Sequence, residues 1–271
     1  MHTGVMGGVA AALYLLSGAL LGLRLARAGA GAAAGKAPPL AIGLMAVLLH
    51  GLLLAYTVVR PEGLNLGFFN ALSFTGWLIA VVLLITAITY PVENLGIILL
   101  PFSAATVLLA LAFPAEHIVA DPRQWQLELH VLISILAYSL LALAAVQALL
   151  LAIQNHQLRN RRPGGFIRGI PPLVTMEALL FQLIGSGYVL LSLALVSGFL
   201  FLEDIFAQHL VHKTTLSLTA WLVFGILLWG RWRFGWRGRT AIRWTLSGFA
   251  VLVLAYFGSK LVLELVLHRA S

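Results

Sequence analysis

The sequence predicts an all-α protein: a polytopic membrane helix bundle of about eight transmembrane helices with both termini external. Three observations carry that prediction. Of its 271 residues, 61% are hydrophobic and only 10% charged, against roughly 45–50% and 25% in soluble domains. A chain with so little polar surface cannot remain a globule in water, so part of its solvent must be lipid. Apolar runs then recur along the chain, each near the length of roughly 20 residues that crosses a hydrocarbon core. Finally, the basic residues gather in alternate gaps between those runs, which is the pattern that fixes topology.

The runs lie at 5–25, 39–59, 67–90, 94–113, 129–153, 179–202, 214–230 and 241–267, and make residues 1–271 one transmembrane domain. No Lys or Arg precedes the first run, whereas Arg24 and Arg27 follow it. A cleaved signal peptide carries its charge first, so this run reads as a retained helix with its N-terminus outside. An Ala/Gly-rich connector ending in Pro38-Pro39 leads to the second run. The fourth and seventh runs are short or closely bounded by polar residues. The longest connectors are 154–178, with Arg161-Arg162-Pro163-Gly164-Gly165 and Pro171-Pro172, and 114–128, PAEHIVADPRQWQLE. The second of these is expected to include a short interfacial helix. Barrel strands would show alternating polarity over about ten residues, which these runs lack.

With the N-terminus outside, the cytoplasmic loops hold Arg24, Arg27 and Lys36, then Arg159, Arg161, Arg162 and Arg168, then Arg231, Arg233, Arg237, Arg239 and Arg243. The opposite side holds Arg60, Arg123, Lys213, Lys260 and Arg269, together with Glu62, Glu116, Asp121, Glu128, Glu203 and Asp204. The positive-inside rule selects this orientation. It also explains the net charge of +8, because the arginines sit in short loops and form no basic face for nucleic acid.

Several chemistries are excluded or unsupported. The chain has no cysteine, which removes disulfides, thiolate metal sites and cysteine nucleophiles. It contains no HExxH, no GxSxG and no Gly-rich nucleotide signature.

The histidines are the candidates for chemistry. His2, His117, His130, His209, His212 and His268 fall at or near the external surface, while His50 lies within the second span and His156 ends the fifth. Imidazole binds metal through a neutral ring nitrogen and also moves protons. Haem iron takes axial histidines, two of which make a six-coordinate centre. His130, His212 and His268 stand at the tops of the fifth, seventh and eighth spans. An ionisable residue inside a span, such as His50, is a functional candidate by default; its alternative role is a neutral imidazole hydrogen-bonded between helices. Lys260 and Glu264 share a helical face and are expected to pair. The stretch WGRWRFGWRGRTAIRW at 229–244 reads as an interfacial belt at the cytoplasmic boundary, with binding of anionic lipid head groups or of a soluble partner as the alternative.

Four segments carry a resemblance to a known family. Leu129-His130-Val131 with Ile135-Leu136-Ala137-Tyr138 resembles a helix start in cytochrome c assembly proteins of the CcsA, CcmC and HemX-like group. Trp221-Leu222-Val223-Phe224, Gly235-Trp236-Arg237-Gly238-Arg239 and Ala255-Tyr256-Phe257-Gly258 resemble its closing segments, in the same order. The sequence HKT at 212–214 is similar to the YpjD-type inner-membrane subgroup. The resemblance covers roughly residues 125–268.

It implies a multi-pass protein of the bacterial inner (plasma) membrane that handles haem at the external face. Haem b is the implied cofactor, and other cytochrome c assembly or membrane proteins are the implied partners. By position His130 is the first ligand to the haem iron, with His268 or His212 as the second and His50 as a within-membrane histidine. Ligating members of the family carry a tryptophan-rich loop of the form WGxxWxWD between the external histidines. This chain has Glu203-Asp204-Ile205-Phe206-Ala207-Gln208-His209-Leu210-Val211-His212 there instead. Haem binding without covalent ligation is therefore the expectation, and the chain is expected not to be an enzyme. The rival readings are a cofactor-free transporter component, favoured by His50, Pro101 and Gly185-Ser186-Gly187, and a scaffold whose Arg159, Arg161 and Arg162 hold a cytoplasmic partner.

Overall fold

The computed structural model describes residues 2–29, 35–60, 63–65, 67–114, 118–119, 125–160, 170–201 and 208–258. Eight helices account for most of them: α1 (His2–Gly29), α2 (Ala37–Thr57), α3 (Phe68–Thr89), α4 (Gly96–Ala112), α5 (Trp125–Arg159), α6 (Leu173–Phe201), α7 (Gln208–Phe234) and α8 (Arg239–Val253). Among the described residues, 7 helices, α1 to α7, are long and apolar enough to cross a membrane. α8 is described for 15 residues and then winds into a π turn at Leu254–Gly258. The remainder of the span expected to reach 267, with Lys260 and Glu264, lies outside the described residues.

Helix ends depart from the expected runs where polar residues can reach an interface. α5 has 35 residues, about 50 Å at 1.5 Å per residue, so it exceeds a hydrocarbon core of about 30 Å. Its surplus is polar: Gln126 and Glu128 at one end, and Gln154 to Arg159 at the other. α6 starts at Leu173, directly after Pro171-Pro172, because proline suits a helix start, where no N–H is required of it. α6 then runs unbroken through Gly185-Ser186-Gly187, and α4 runs unbroken through Pro101.

The helices pack as two rings of four. α1 packs on α2 and α4, and α3 closes that ring against both; α5 packs on α6 and α8, and α7 closes the second ring the same way. The rings meet where α3 lies on α5, and the 3-10 turn Glu93–Leu95 also touches α5. Close approach of α5 and α6 depends on Gly187, where an added Cβ would lie 2.8 Å from the Leu141 side chain. Small residues at such crossings let backbones approach and gain van der Waals contact, the main attraction available in lipid. Tyr14, Leu83, Leu100, Leu141, Leu180 and Phe224 are among the side chains fully buried in the resulting core.

One feature was not expected. β1 (Val59–Arg60), β2 (Gly63–Asn65) and β3 (Ile118–Val119) form a small antiparallel sheet, with Val59 opposite Leu64 and Leu64 opposite Val119. The expected short helix within 114–128 is replaced at Ile118–Val119 by this strand, and Trp125 already begins α5. β-branched Ile118 and Val119 suit a strand, and pairing satisfies backbone groups that a bare connection at the membrane surface would leave open.

The opposite end of the bundle is held by charge and polar contacts. Arg24 meets Glu93 at 3.1 Å, and Lys36 donates to the Ala87 carbonyl at 2.7 Å. Gln147 and Gln154 of α5 donate to the Met176 and Pro171 carbonyls at 3.0 and 2.9 Å. Arg231 lies 4.6 Å above the Phe181 ring and donates to the Trp236 carbonyl. Trp232, Arg233 and Phe234 are exposed beyond it, as an interfacial belt requires.

Candidate functional site

The second ring encloses a cavity of about 240 Å³. One wall is a stripe of α5, His130, Val131, Ser134, Ile135 and Tyr138, which face the same way because they recur at helical spacing. The α6 wall is Leu191, Ala194, Leu195, Gly198 and Phe199; α7 supplies Lys213, Thr214 and Ser217; Leu252, Ala255 and Tyr256 come from α8 and its π turn. Thr75 of α3 completes the lining from the first ring. The surface is chiefly aliphatic and aromatic, with a few polar groups, which is the usual make-up of a small-molecule site.

His130 is the metal-competent side chain in this wall. It sits five residues after Trp125, the first residue of α5, and is partly buried. Its Nδ1 lies 2.9 Å from Ser197 Oγ of α6. Ser134 Oγ donates to the His130 carbonyl at 2.7 Å, so the polar groups of this turn are occupied locally. The Ala194 backbone also lies within hydrogen-bonding reach of the His130 ring.

His50 stands in the opposite condition. It is wholly buried in the first ring, with Nδ1 3.2 Å from the Tyr14 hydroxyl and Nε2 2.9 Å from Ser73 Oγ. Tyr14 also meets the imidazole edge-on, with ring centroids 5.8 Å apart. One histidine thus ties α1, α2 and α3 together, and neither of its nitrogens is open to iron in this packing. His50 and His130 lie toward the same end of the molecule, seven residues before the end of α2 and five after the start of α5.

The remaining histidines are placed less fully. His212 belongs to α7, one residue before the cavity-lining Lys213; its side chain and all of His268 lie outside the described residues. The same holds for the side chains of His2 and His209, and for His117. His156 is exposed at the far end, with Nε2 3.0 Å from Asn160 Nδ2. Among the described residues no group of three metal-ligating side chains occurs.

Sequence reasoning missed Ser197, Thr75 and Ser134. A serine near the end of an apolar helix carries no signal alone. The i, i+3, i+4, i+7 spacing of Leu191, Ala194, Leu195 and Gly198 marks a face, but not the helix it meets.

These features define a multi-pass helical membrane protein with an imidazole-bearing cavity at one end of its second four-helix ring. The family described as cytochrome C assembly protein matches residues 40–267, and the chain belongs to that family. It is 33% identical over 229 residues to inner membrane protein YpjD of Escherichia coli K12, covering 82% of this chain and 85% of that one. It is 27% identical over 210 residues to cytochrome c biogenesis protein CcsA of Chlamydomonas reinhardtii, covering 72% of this chain and 58% of that one. CcsA of Microcystis aeruginosa is 25% identical over 247 residues, covering 72% and 75%. No solved structure matches the chain. It is accordingly a multi-pass protein of the inner membrane.

Proposed function

We propose that this protein binds haem b in the cavity of its second ring, at the external membrane face, and assists cytochrome c biogenesis or haem delivery there. The observation that carries this reading is His130: an imidazole held at Nδ1, in the wall of an apolar cavity bounded by α3 and the four helices of the second ring. The residues present fit the group. Aliphatic side chains on α5, α6 and α8 suit a flat macrocycle. The iron of a bound haem would supply the redox-active centre, and His130, with His212 or His268, would hold it.

The chain is further proposed to hold haem without joining it to apocytochrome c, because the tryptophan-rich loop is replaced by residues 203–212. The unbroken courses of α4 and α6 leave the cofactor-free transporter reading without its expected broken helices.

The test is the absorption spectrum of protein purified in mild detergent from haem-replete cells. A b-type Soret band is expected, and His130→Ala should remove it. Substituting His212 and His268 separately should convert a six-coordinate spectrum to a five-coordinate one in whichever variant lacks the second ligand. Wild-type protein with no Soret band overturns the reading.

A further inference from the structure

We infer that Ser197 is a positioning residue that sets the tautomer of His130, locking the proton on Nδ1 and leaving the Nε2 lone pair for a metal. The inference gives the proposed haem site its orienting partner, but it stands on hydrogen-bond geometry alone.

Ser197 Oγ lies 2.9 Å from the Ala194 carbonyl, three residues earlier in α6, and 2.9 Å from His130 Nδ1. A hydroxyl has one proton to give and two lone pairs to accept with. A carbonyl can only accept, so the contact with Ala194 uses the hydroxyl proton. The contact with His130 must then be Nδ1–H donating to Ser197 Oγ. A neutral imidazole carries one N–H, so a proton on Nδ1 leaves Nε2 bare, which is the form that ligates metal.

Burial strengthens the assignment. Ser197 is 7% exposed, and a proton moved to Nε2 would set the Nδ1 lone pair against that of the hydroxyl with little water to intervene. The arrangement parallels the general need of a ligating histidine for an acceptor on its other nitrogen, which fixes ring orientation and raises basicity. Here the acceptor is a neutral hydroxyl on a neighbouring helix, so the α5–α6 register transmits directly to the ligand atom. The Nε2–H form is the commoner one for imidazole in water, so the protein must impose the other.

The test reads the tautomer in haem-free protein. Full-length chain is labelled with 15N-histidine, and His130 is assigned by comparison with H130Q. Ring-nitrogen shifts are recorded above the pH at which the imidazole titrates. A pyrrole-type Nδ1 and a pyridine-type Nε2 are expected in wild type, a swing toward Nε2–H in Ser197→Ala, and return of the wild-type pattern in Ser197→Thr. Hemin titration of the same proteins should show binding weakened about 10- to 100-fold in Ser197→Ala and restored by threonine. A merely structural role for Ser197 would not move the tautomer.

Wild-type protein protonated at Nε2, or a Ser197→Ala spectrum identical to wild type, overturns the inference. Should Ser197→Ala fail to fold, wild type and Ser197→Thr still decide it, since both must show Nδ1–H. If the tautomer follows Ser197 but hemin binds to no variant, the positioning role holds and the haem reading fails.

Discussion

His130 and His50 are both imidazoles within an apolar bundle, and their neighbours give them opposite availability. His130 is held at one nitrogen by Ser197, whereas His50 is held at both by Tyr14 and Ser73. His50→Ala would leave two buried hydroxyls without their partner and open a void in a site that is 0% exposed. The expected cost is about 2–4 kcal/mol, mostly from the void, because single hydrogen bonds within membranes contribute about 0.6 kcal/mol on average. Unfolding of the purified variant in a denaturing-detergent titration should show this loss, while any Soret band keeps its shape. An unchanged midpoint would mean that His50 does not brace the first ring. The sequence marked both histidines as candidates, His50 as an ionisable residue inside a span and His130 at the top of one. Each has a partner serine on another helix, 67 residues from His130 and 23 residues from His50; what separates their roles is Tyr14 on the second nitrogen of His50. Neither distance has a local signature.

At the scale of elements, hydropathy made the spans legible because lipid imposes length and apolarity directly on the sequence. Their ends were less legible: Gln154 and Glu177 are polar, yet each is helical where a backbone group meets it, the Pro171 carbonyl for Gln154 and the Gly238 N–H for Glu177. The start of α8 illustrates how such ends are secured. Gly238 has φ +57, a left-handed setting that favours glycine, and its N–H donates to Glu177 Oε1 of α6 at 2.8 Å. The buried carboxylate also faces the positive end of α8. Gly238→Ala is expected to cost about 1–3 kcal/mol through backbone strain. Glu177→Ala is expected to cost about 1–3 kcal/mol through loss of a charge-assisted bond. Melting temperatures in detergent should fall for both, with hemin binding at the distant cavity unchanged. Two-residue strands such as Ile118–Val119 had no chance of being read, because alternation needs more residues than they possess.

On the scale of the whole molecule, the order of helices around each ring could not be read from hydropathy, which reports which segments meet lipid but not which segments meet one another. The two rings differ in what fills the same end: hydrogen-bonded Tyr14, His50 and Ser73 in one, a cavity of about 240 Å³ in the other. Haem added to the purified protein is expected to slow hydrogen exchange in α3 as well as α5 and α6, because Thr75 lines the cavity and its hydroxyl is tied to the Ala71 carbonyl at 2.8 Å. Protection confined to α5–α8 would show that the seam between the rings is passive. The placement of Thr75 also bears on how far the molecule can be divided. A fragment beginning at Trp125 would retain the whole second ring in sequence, yet its chamber would lack a side and the flank of α5 that α3 covers would be bare to lipid. The halves are therefore not interchangeable cassettes: the chamber of the second is finished only by a side chain of the first, which the ribosome makes before it.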